Sequence, residues 1–527
     1  MISIIPKPSE CKQKDGFFTC QGALTVKSDF MLELLKCERS ENSTLVIIKE
    51  SSLSEEGYTL DVTKDKIEIK AADETGAYYA LQSLRQLCRF ELGESKIPCC
   101  HIEDKPRFKW RGLHLDESRH FFGKEEVKRF LDNMFMMKLN VFHWHLTDDQ
   151  GWRIEIKKYP LLTEKGSVRE YTQINGWQST DVVNERYEGF YTQDDIREIV
   201  EYAGKRGIMV VPEIDFPAHS ASAIAGYPWL ACRELFRDVP GYFGSKIPVL
   251  KLKMRDWNRP VCPGKDTTID FIFDIIDEVC ELFPAPYFHI GGDEAPKDEW
   301  KKCPCCQQRI KDNNLKNEED LQGWLNNQIL EHLKSKGKRL IGWNEILKAG
   351  NLDKSVVVQY WTPKRDKNAE RFVNNGGSMI MSNHHSFYFD MPYGQYPLKY
   401  TYDYKPEKFG VNNKNVSNIL GVEGENWTEW TDSREMLDCR LHPRMEALAE
   451  VAWTEDGNKD WQDFISRLNE FKPFFEKLDI NYAVDSISMP KGIGGAVNRT
   501  KRQKMFYKGD THLEVKLNKK FKAQGEK

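Results

Sequence analysis

No stretch of this chain is apolar over the roughly 18 to 20 residues that a membrane-spanning helix requires, so a helical membrane protein is excluded and no membrane partner is expected. An excess of charge of one sign is also missing. The 77 Lys and Arg against 81 Asp and Glu leave a net charge of −4, without the pervasive basic character that suits a phosphate backbone, and nucleic acid is not expected as a partner. The N-terminus, Met1-Ile2-Ser3-Ile4-Ile5-Pro6-Lys7-Pro8, lacks a basic segment followed by a long apolar one. No secretory signal is visible and a cytoplasmic location is expected, although a chain trimmed of its leader would read the same. The 13 cysteines show no repeating spacing, which argues against a disulfide framework and for a reducing compartment. Cys303-Pro304-Cys305-Cys306 suggests a zinc site, but no second pair stands at a finger-like distance, and neither a metal nor a cofactor is expected. Asn-X-Ser/Thr triplets at Asn42, Asn415, Asn426 and Asn498 are about what chance supplies and carry little weight.

What is present is length enough, at 527 residues, for two or three units. Residues 1–105 read as a small α+β domain. Tyr58, Leu60 and Val62 alternate with polar residues, as do Ile67 and Ile69, with Lys64-Asp65 as a hairpin turn and a helix over about 75–89. Pro98 to Pro106 reads as the linker. From Trp110 short apolar strands alternate with amphipathic helices, the pattern of a parallel sheet. Eight strands are predicted: Trp110–Leu115, Asn140–Leu146, Ile208–Asp215, Tyr287–Gly292, Arg339–Trp343, Val356–Trp361, Met379–Ser382 and Ile419–Glu423. Among the helices, 124–138 carries Val127, Phe130, Leu131, Met134 and Phe135 on one face, and another starts at Thr192 with Asp195 three residues on. Eight such units predict an α/β (β/α)8 TIM barrel over 106–480, followed by a basic extension at 481–527.

A barrel of this kind does its chemistry where its strands end and the βα loops gather. His289-Ile-Gly-Gly-Asp-Glu294 sets two adjacent carboxylates at such an end, after two glycines that remove side-chain bulk. Alone, the tetrapeptide Gly291-Gly-Asp-Glu294 would read as the start of a solvated loop. Its company reverses the reading: Asp116-Glu117-Ser118-Arg119-His120 follows the first strand, His145-Leu146-Thr147-Asp148-Asp149 the second, and Glu213, Asp215 and His219 the third. Trp343-Asn344-Glu345, Trp361, Tyr388 with Asp390, and Trp427 with Glu429 follow the fifth to eighth. Tryptophans and a tyrosine among carboxylates and an arginine suit a sugar, whose apolar faces stack on rings while its hydroxyls need fixed partners. Trp110 and Trp144 are read instead as core.

The chain resembles the family 20 glycoside hydrolases, the β-N-acetylhexosaminidases. The resemblance rests on Arg111-Gly-Leu-His-Leu-Asp-Glu-Ser-Arg119-His-Phe-Phe, Asn140-Val-Phe-His-Trp-His-Leu-Thr-Asp148-Asp-Gln-Gly-Trp-Arg, Val211-Pro-Glu-Ile-Asp-Phe-Pro-Ala-His219 and His289-Ile-Gly-Gly-Asp-Glu294, and extends from the N-terminal domain to about residue 480. It implies an exo-acting, retaining hydrolysis of terminal β-linked GlcNAc or GalNAc from an oligosaccharide or glycoconjugate. The substrate's own 2-acetamido group would be the nucleophile, a departure from the two-carboxylate scheme. It further implies Glu294 as general acid and base, Asp293 and Tyr388 as partners of the acetamido group, and Trp343, Trp361 and Trp427 as its walls. Arg119, Asp390 and Glu429 would bind ring hydroxyls, and Asp148 and His219 would support the constellation.

Other readings stay open on the sequence. A disaccharide-releasing relative of the lacto-N-biosidase type would use the same inner pocket, and a catalytically silent sugar-binding barrel would be expected to have replaced Asp293 or Glu294. A zinc-dependent amidohydrolase could use His143, His145, His219 and Asp293. The loops 221–262, with Tyr242, Phe243 and Trp257, and 303–306 are read as shaping outer subsites. The segment 491–527 counts 11 Lys or Arg against 3 Asp or Glu and would either dock on the acidic body or remain a solvated tail. A homodimer is compatible with the sequence.

Overall fold

The computed structural model describes residues 2–20, 24–89, 92–177, 179–234, 238–243 and 260–526. The N-terminal unit is a seven-stranded sheet in the order Glu10–Thr19, Lys96–Asp104, Tyr58–Val62, Ile67–Ala71, Leu45–Lys49, Thr25–Ser28, Glu38–Arg39. Tyr58–Val62 and Ile67–Ala71 pair antiparallel, Leu60 opposite Ile69, and bury alternate residues. Helix Glu74–Cys88 packs on this sheet, its first turn capped by the Asp73 carboxylate accepting from the Gly76 amide at 2.8 Å.

The predicted linker needs correction. Lys96–Asp104 is a strand lying between Glu10–Thr19 and Tyr58–Val62. Pro98 reads as a strand breaker in the sequence, but it lies opposite Phe17 beside a register shift, the kind of irregularity where a missing N–H is tolerated. The strand's last residue, Asp104, is buried and accepts from Tyr58 Oη (2.7 Å), Trp453 Nε1 (2.8 Å) and Lys138 Nζ (3.0 Å), so one carboxylate ties the sheet to the barrel.

The eight predicted strands are those that close the barrel, in chain order and parallel: Trp110–Asp116, Val141–His145, Met209–Glu213, Tyr287–His289, Arg339–Trp343, Val357–Tyr360, Ser378–Met381 and Ile419–Gly424. Their register puts Asp116 beside His145, His145 beside Glu213, and Glu213 beside His289, a belt of ionisable residues at one level near the C-terminal end. Helix Lys124–Met136 buries its predicted apolar face, and Thr192 caps helix Gln193–Gly204 in a reciprocal box with Asp195. Trp110 and Trp144 are buried.

The basic C-terminal segment folds as helices Gly492–Tyr507 and Leu513–Ala523. Buried polar groups, more than net charge, hold it. Arg502 donates to the carbonyls of Ser486 and Ile487, Glu514 accepts the amides of Tyr393 and Gly394, and Asn518 bonds Val484 N and Tyr482 O. Surface pairs Lys519–Glu435 and His512–Asp432 add charge complementarity.

Candidate active site

A cleft of about 360 Å³ opens at the C-terminal ends of the strands. It brings together nine of the predicted site residues: Arg119, His219, Asp293, Glu294, Trp361, Tyr388, Asp390, Trp427 and Glu429. The other two, Asp148 and Trp343, lie beneath it, buried. Trp343, predicted as a wall, is 1% exposed and donates its indole N–H to Glu213 Oε1 at 2.8 Å, while its ring lies 5.9 Å from that of Trp427.

The local chain path at the acids follows from close quarters. At Gly291 (φ +63°) a Cβ would lie 2.0 Å from Asp215 Oδ1, so no larger residue fits. Gly292 (φ +90°) donates its amide to the same oxygen at 3.1 Å. Glu294 itself is left-handed at φ +47°, and His219 at φ +48°. Non-glycine residues in that region carry strain of order 1–3 kcal/mol, which persists where the surroundings over-determine it and clusters at functional sites. The Glu294 amide donates to Glu345 Oε2 at 2.7 Å, and its side chain is 56% exposed, open to the cleft.

His219 Nε2 lies 3.7 Å from Asp293 Oδ2 and 3.8 Å from Glu294 Oε2, so one imidazole faces both acids. Its Nδ1 lies 3.2 Å from Asp148 Oδ1. Burial opposes a charge on His219, but the Asp148 carboxylate, with Asp293 and Asp215, holds its pKa well above the usual value. Asp148 in turn pairs with Arg119 Nη2 at 2.7 Å and His145 Nε2 at 3.0 Å. Burial would raise its pKa, yet Arg119 and His219 keep it well below the carboxylate range. Asp293 goes the other way: burial, with Glu294, Glu213 and Glu345 nearby, pushes it up to about 7 against the pull of His219. Asp390 is raised to about 8 by burial and then by Glu429.

Arg119 is held on every side, by Asp116 Oδ2 (3.0 Å), Asp148, Gln150 Oε1 (2.9 Å from Nε) and the face of Trp427 5.2 Å away, with Glu429 at 4.0 Å. On the aromatic side, Tyr388 stacks 5.9 Å from Trp361 and lies 6.4 Å from Trp427. The indole N–H of Trp361 and Asp293 Oδ1 are buried without a partner among the described residues. Such atoms cost about 1–3 kcal/mol each unless a ligand meets them.

Sequence reasoning does not foresee the polar core under this floor. Glu213 accepts from Trp343 and lies beside three histidines: His145, His289 (2.9 Å) and His143 (3.2 Å). His143 also meets Glu423 at 2.7 Å, which receives Gln359 and the Trp110 indole at the same distance. Despite burial, Glu423 and Glu213 raise His143 to about 10. In sequence these residues sit inside apolar strands, and only their period-two spacing, as in His143-Trp-His145, hints at a shared interior face. Asp149 and Glu345 stand in the strand-end clusters without an assigned role, and Gln150 and His384 are missed as site residues; Asp149, Gln150 and His384 line the cleft.

The amidohydrolase reading does not assemble. His143 and His145 are drawn to Glu213 and Glu423, and among the described residues His219 is the imidazole within 4 Å of Asp293. Asp148, Asp215 and His219 could offer three ligand atoms to a metal. Two of those residues are already committed, Asp148 to Arg119 and His145, and Asp215 to the Gly292 amide.

Of the loops predicted to shape outer subsites, Tyr242 and Phe243 line the cleft, Trp257 lies outside the described residues, and Cys303–Cys306 are not part of the lining. Trp177 also lines it. Trp177 packs edge-on to Trp430 (5.4 Å) and Phe506 (5.6 Å) and stacks on Tyr507 (6.2 Å), and Phe243 meets Trp430 at 5.4 Å. The C-terminal helix Gly492–Tyr507 therefore buttresses the outer wall.

Residues 108–456 match the model of glycosyl hydrolase family 20, catalytic domain, and residues 32–105 that of glycosyl hydrolase family 20, domain 2. A beta-hexosaminidase of Porphyromonas gingivalis is 36% identical over 545 residues, covering 96% of this chain and 67% of the relative. Among solved structures, an exo beta-N-acetylglucosaminidase from Vibrio harveyi in complex with N-acetylglucosamine superposes with a TM-score of 0.80 at 30% identity, over 91% of this chain and 78% of that one. A beta-N-acetylhexosaminidase from Bacteroides fragilis does so with a TM-score of 0.78 at 32% identity, over 91% and 96%.

Proposed function

The chain belongs to glycosyl hydrolase family 20, and from that premise we infer which of its residues carry out each part of the hydrolysis. It is a glycoside hydrolase, an exo-acting β-N-acetylhexosaminidase that works through the substrate's 2-acetamido group. The observation that carries the residue assignment is the single imidazole of His219 facing both Asp293 and Glu294 at the end of the fourth strand.

In this reading Glu294 protonates the departing oxygen and then deprotonates the attacking water. Its exposure to the cleft supports the role, since both leaving group and water must reach it. Asp293 accepts from the acetamido N–H and stabilises the positive charge that develops as the carbonyl oxygen attacks the anomeric carbon. Tyr388 donates to that oxygen. Trp361 and Trp427, with Trp343 behind them, restrict the acetamide to the attacking orientation, an intramolecular alignment that can contribute roughly 7–11 kcal/mol. Two displacements at one carbon give net retention. Asp148 keeps His219 charged, and His219 draws both acids into place.

Arg119, Asp390 and Glu429 bind the hydroxyls of a single terminal ring. Glu429→Gln, if that carboxylate reads the 4-hydroxyl, should lower activity on GlcNAc and GalNAc substrates unequally. The natural partner is then an oligosaccharide or glycoconjugate ending in a β-linked N-acetylhexosamine. The test is a defined tetrasaccharide with products followed from the first turnover, beside a plain β-glucoside and a thiazoline inhibitor. Early monosaccharide, an inert glucoside and strong thiazoline inhibition are expected. Early disaccharide would mean a pocket open beyond the first ring, and a cleaved glucoside would remove the acetamido nucleophile.

A further inference from the structure

Four cysteines converge from three separate segments. Cys232 follows the short turn Pro228–Leu230, Cys262 precedes helix Asp266–Leu282, and Cys303 and Cys306 stand at the start of helix Pro304–Asp312. Cys262 Sγ lies 3.5 Å from Cys306 Sγ and 3.7 Å from Cys303 Sγ, and Cys232 Sγ lies 3.8 Å from Cys306 Sγ. All four sulfurs fall within 4.8 Å of one another. Zinc–thiolate bonds of about 2.3 Å in a tetrahedron place neighbouring sulfurs about 3.8 Å apart, whereas a disulfide brings them to about 2.05 Å. None of the cysteines is in a disulfide.

The backbone is built for the approach. Cys262 N donates to Leu230 O at 2.7 Å, and Ala231 bridges Val261, which sets the first two cysteines side by side. A Cβ at Gly264 would lie 2.4 Å from both Cys305 C and Cys306 N, so only glycine lets the two turns meet. Cys262, Cys303 and Cys306 are buried in a cluster with Trp300 and Leu321, while Cys305, between the two helical cysteines, is exposed. No second pair stands at a finger-like distance in the sequence because the partners come singly, from positions 232 and 262.

We propose that Cys232, Cys262, Cys303 and Cys306 bind one zinc ion as a closed structural site. One divalent ion replaces the four thiol protons and leaves no coordination position for water or substrate. The site fastens the chain just after Asp293 and Glu294 to the two segments before the fourth strand. Trp300 lies between them, its indole N–H bonded to Val261 O at 3.0 Å.

The full chain, purified under reducing conditions and dialysed against EDTA, is expected to retain about one zinc per chain by elemental analysis. A mercurial should release that zinc as it titrates the thiols, and cobalt exchanged into the site should show intense thiolate-to-metal charge transfer. Cys303→Ser with Cys306→Ser should abolish the bound metal, whereas Cys305→Ser should keep it. Should the double variant fail to fold, the mercurial and cobalt measurements on the unmodified chain still decide. A chain that carries no zinc, carries iron in its place, or has an intact mass lighter by the four hydrogens of two disulfides overturns the proposal, as does full zinc retention in a folded double variant.

Discussion

Replacing Asp293 by Asn should move activity and stability in opposite directions. The carboxylate is largely buried, its side chain 15% exposed, and raised to about 7 from an ordinary 3.8, so the folded protein resists ionising it more than the unfolded chain does. A tenfold change in acidity corresponds to about 1.36 kcal/mol, which makes ionised Asp293 a liability of at most about 4 kcal/mol. The sign follows from linkage. Below 3.8 the carboxyl is neutral in both states and has no effect; between 3.8 and about 7 the unfolded chain loses the proton first, and stability falls; above about 7 the penalty is complete. Asn is neutral and nearly isosteric, so it escapes the penalty. At roughly 2.1 cal/mol/K per residue, the melting entropy of 527 residues is about 1.1 kcal/mol/K, and the variant should melt about 2–4 °C higher near neutral pH. The assay is Tm of both proteins from about pH 4.5 to pH 8, with the gap widening as pH rises. Turnover should meanwhile fall, because a charge-assisted hydrogen bond is worth about 1.5–3 kcal/mol, or roughly 10- to 150-fold. A gap that stays flat with pH, or a variant less stable near pH 8, would refute the reasoning.

Glu294→Gln should lower turnover by roughly 10² to 10⁴ on natural aglycones and much less on substrates with a very good leaving group, and equal losses would sink the acid role. Since Asp293 must be ionised to hold the acetamido nitrogen, kcat/KM in the free enzyme should fall as pH drops below about 7; an acid limb that persists unchanged in Asp293→Asn would assign it to another group. Arg119→Lys keeps the charge but not the fork that spans Asp116, Asp148 and Gln150. A rise in KM is expected with a smaller change in kcat, and an unaltered KM would contradict the hydroxyl-binding role.

The rim of the barrel is legible in the sequence because strand ends announce themselves. An apolar run stops, and Asp293-Glu294 or Asp148-Asp149 begins. What lies across the barrel is not, since Glu213, His289 and Glu423 are scattered over more than 200 residues and join only when the strands close into a circle. Pro98 misleads because a proline tolerated at a bulge looks the same as one that breaks a strand. For the C-terminal segment net charge is the visible signal, yet single buried groups such as Arg502 and Asn518 decide how it docks. Cys232 and Cys262 illustrate the general limit: spacing rules detect ligand pairs on one segment, and single ligands brought in by distant turns escape them.

The aromatic brace of Trp177 by Phe506 and Tyr507 has a consequence for biosynthesis. The last barrel strand ends at Gly424, so the barrel can close while the helix that steadies the outer wall is still inside the ribosome. A nascent chain at that stage would own its acids but not a finished mouth. Competence toward long substrates then arrives only once helix Gly492–Tyr507 has emerged, and a protein clipped before residue 492 should still cleave small aryl glycosides while losing its grip on extended glycans.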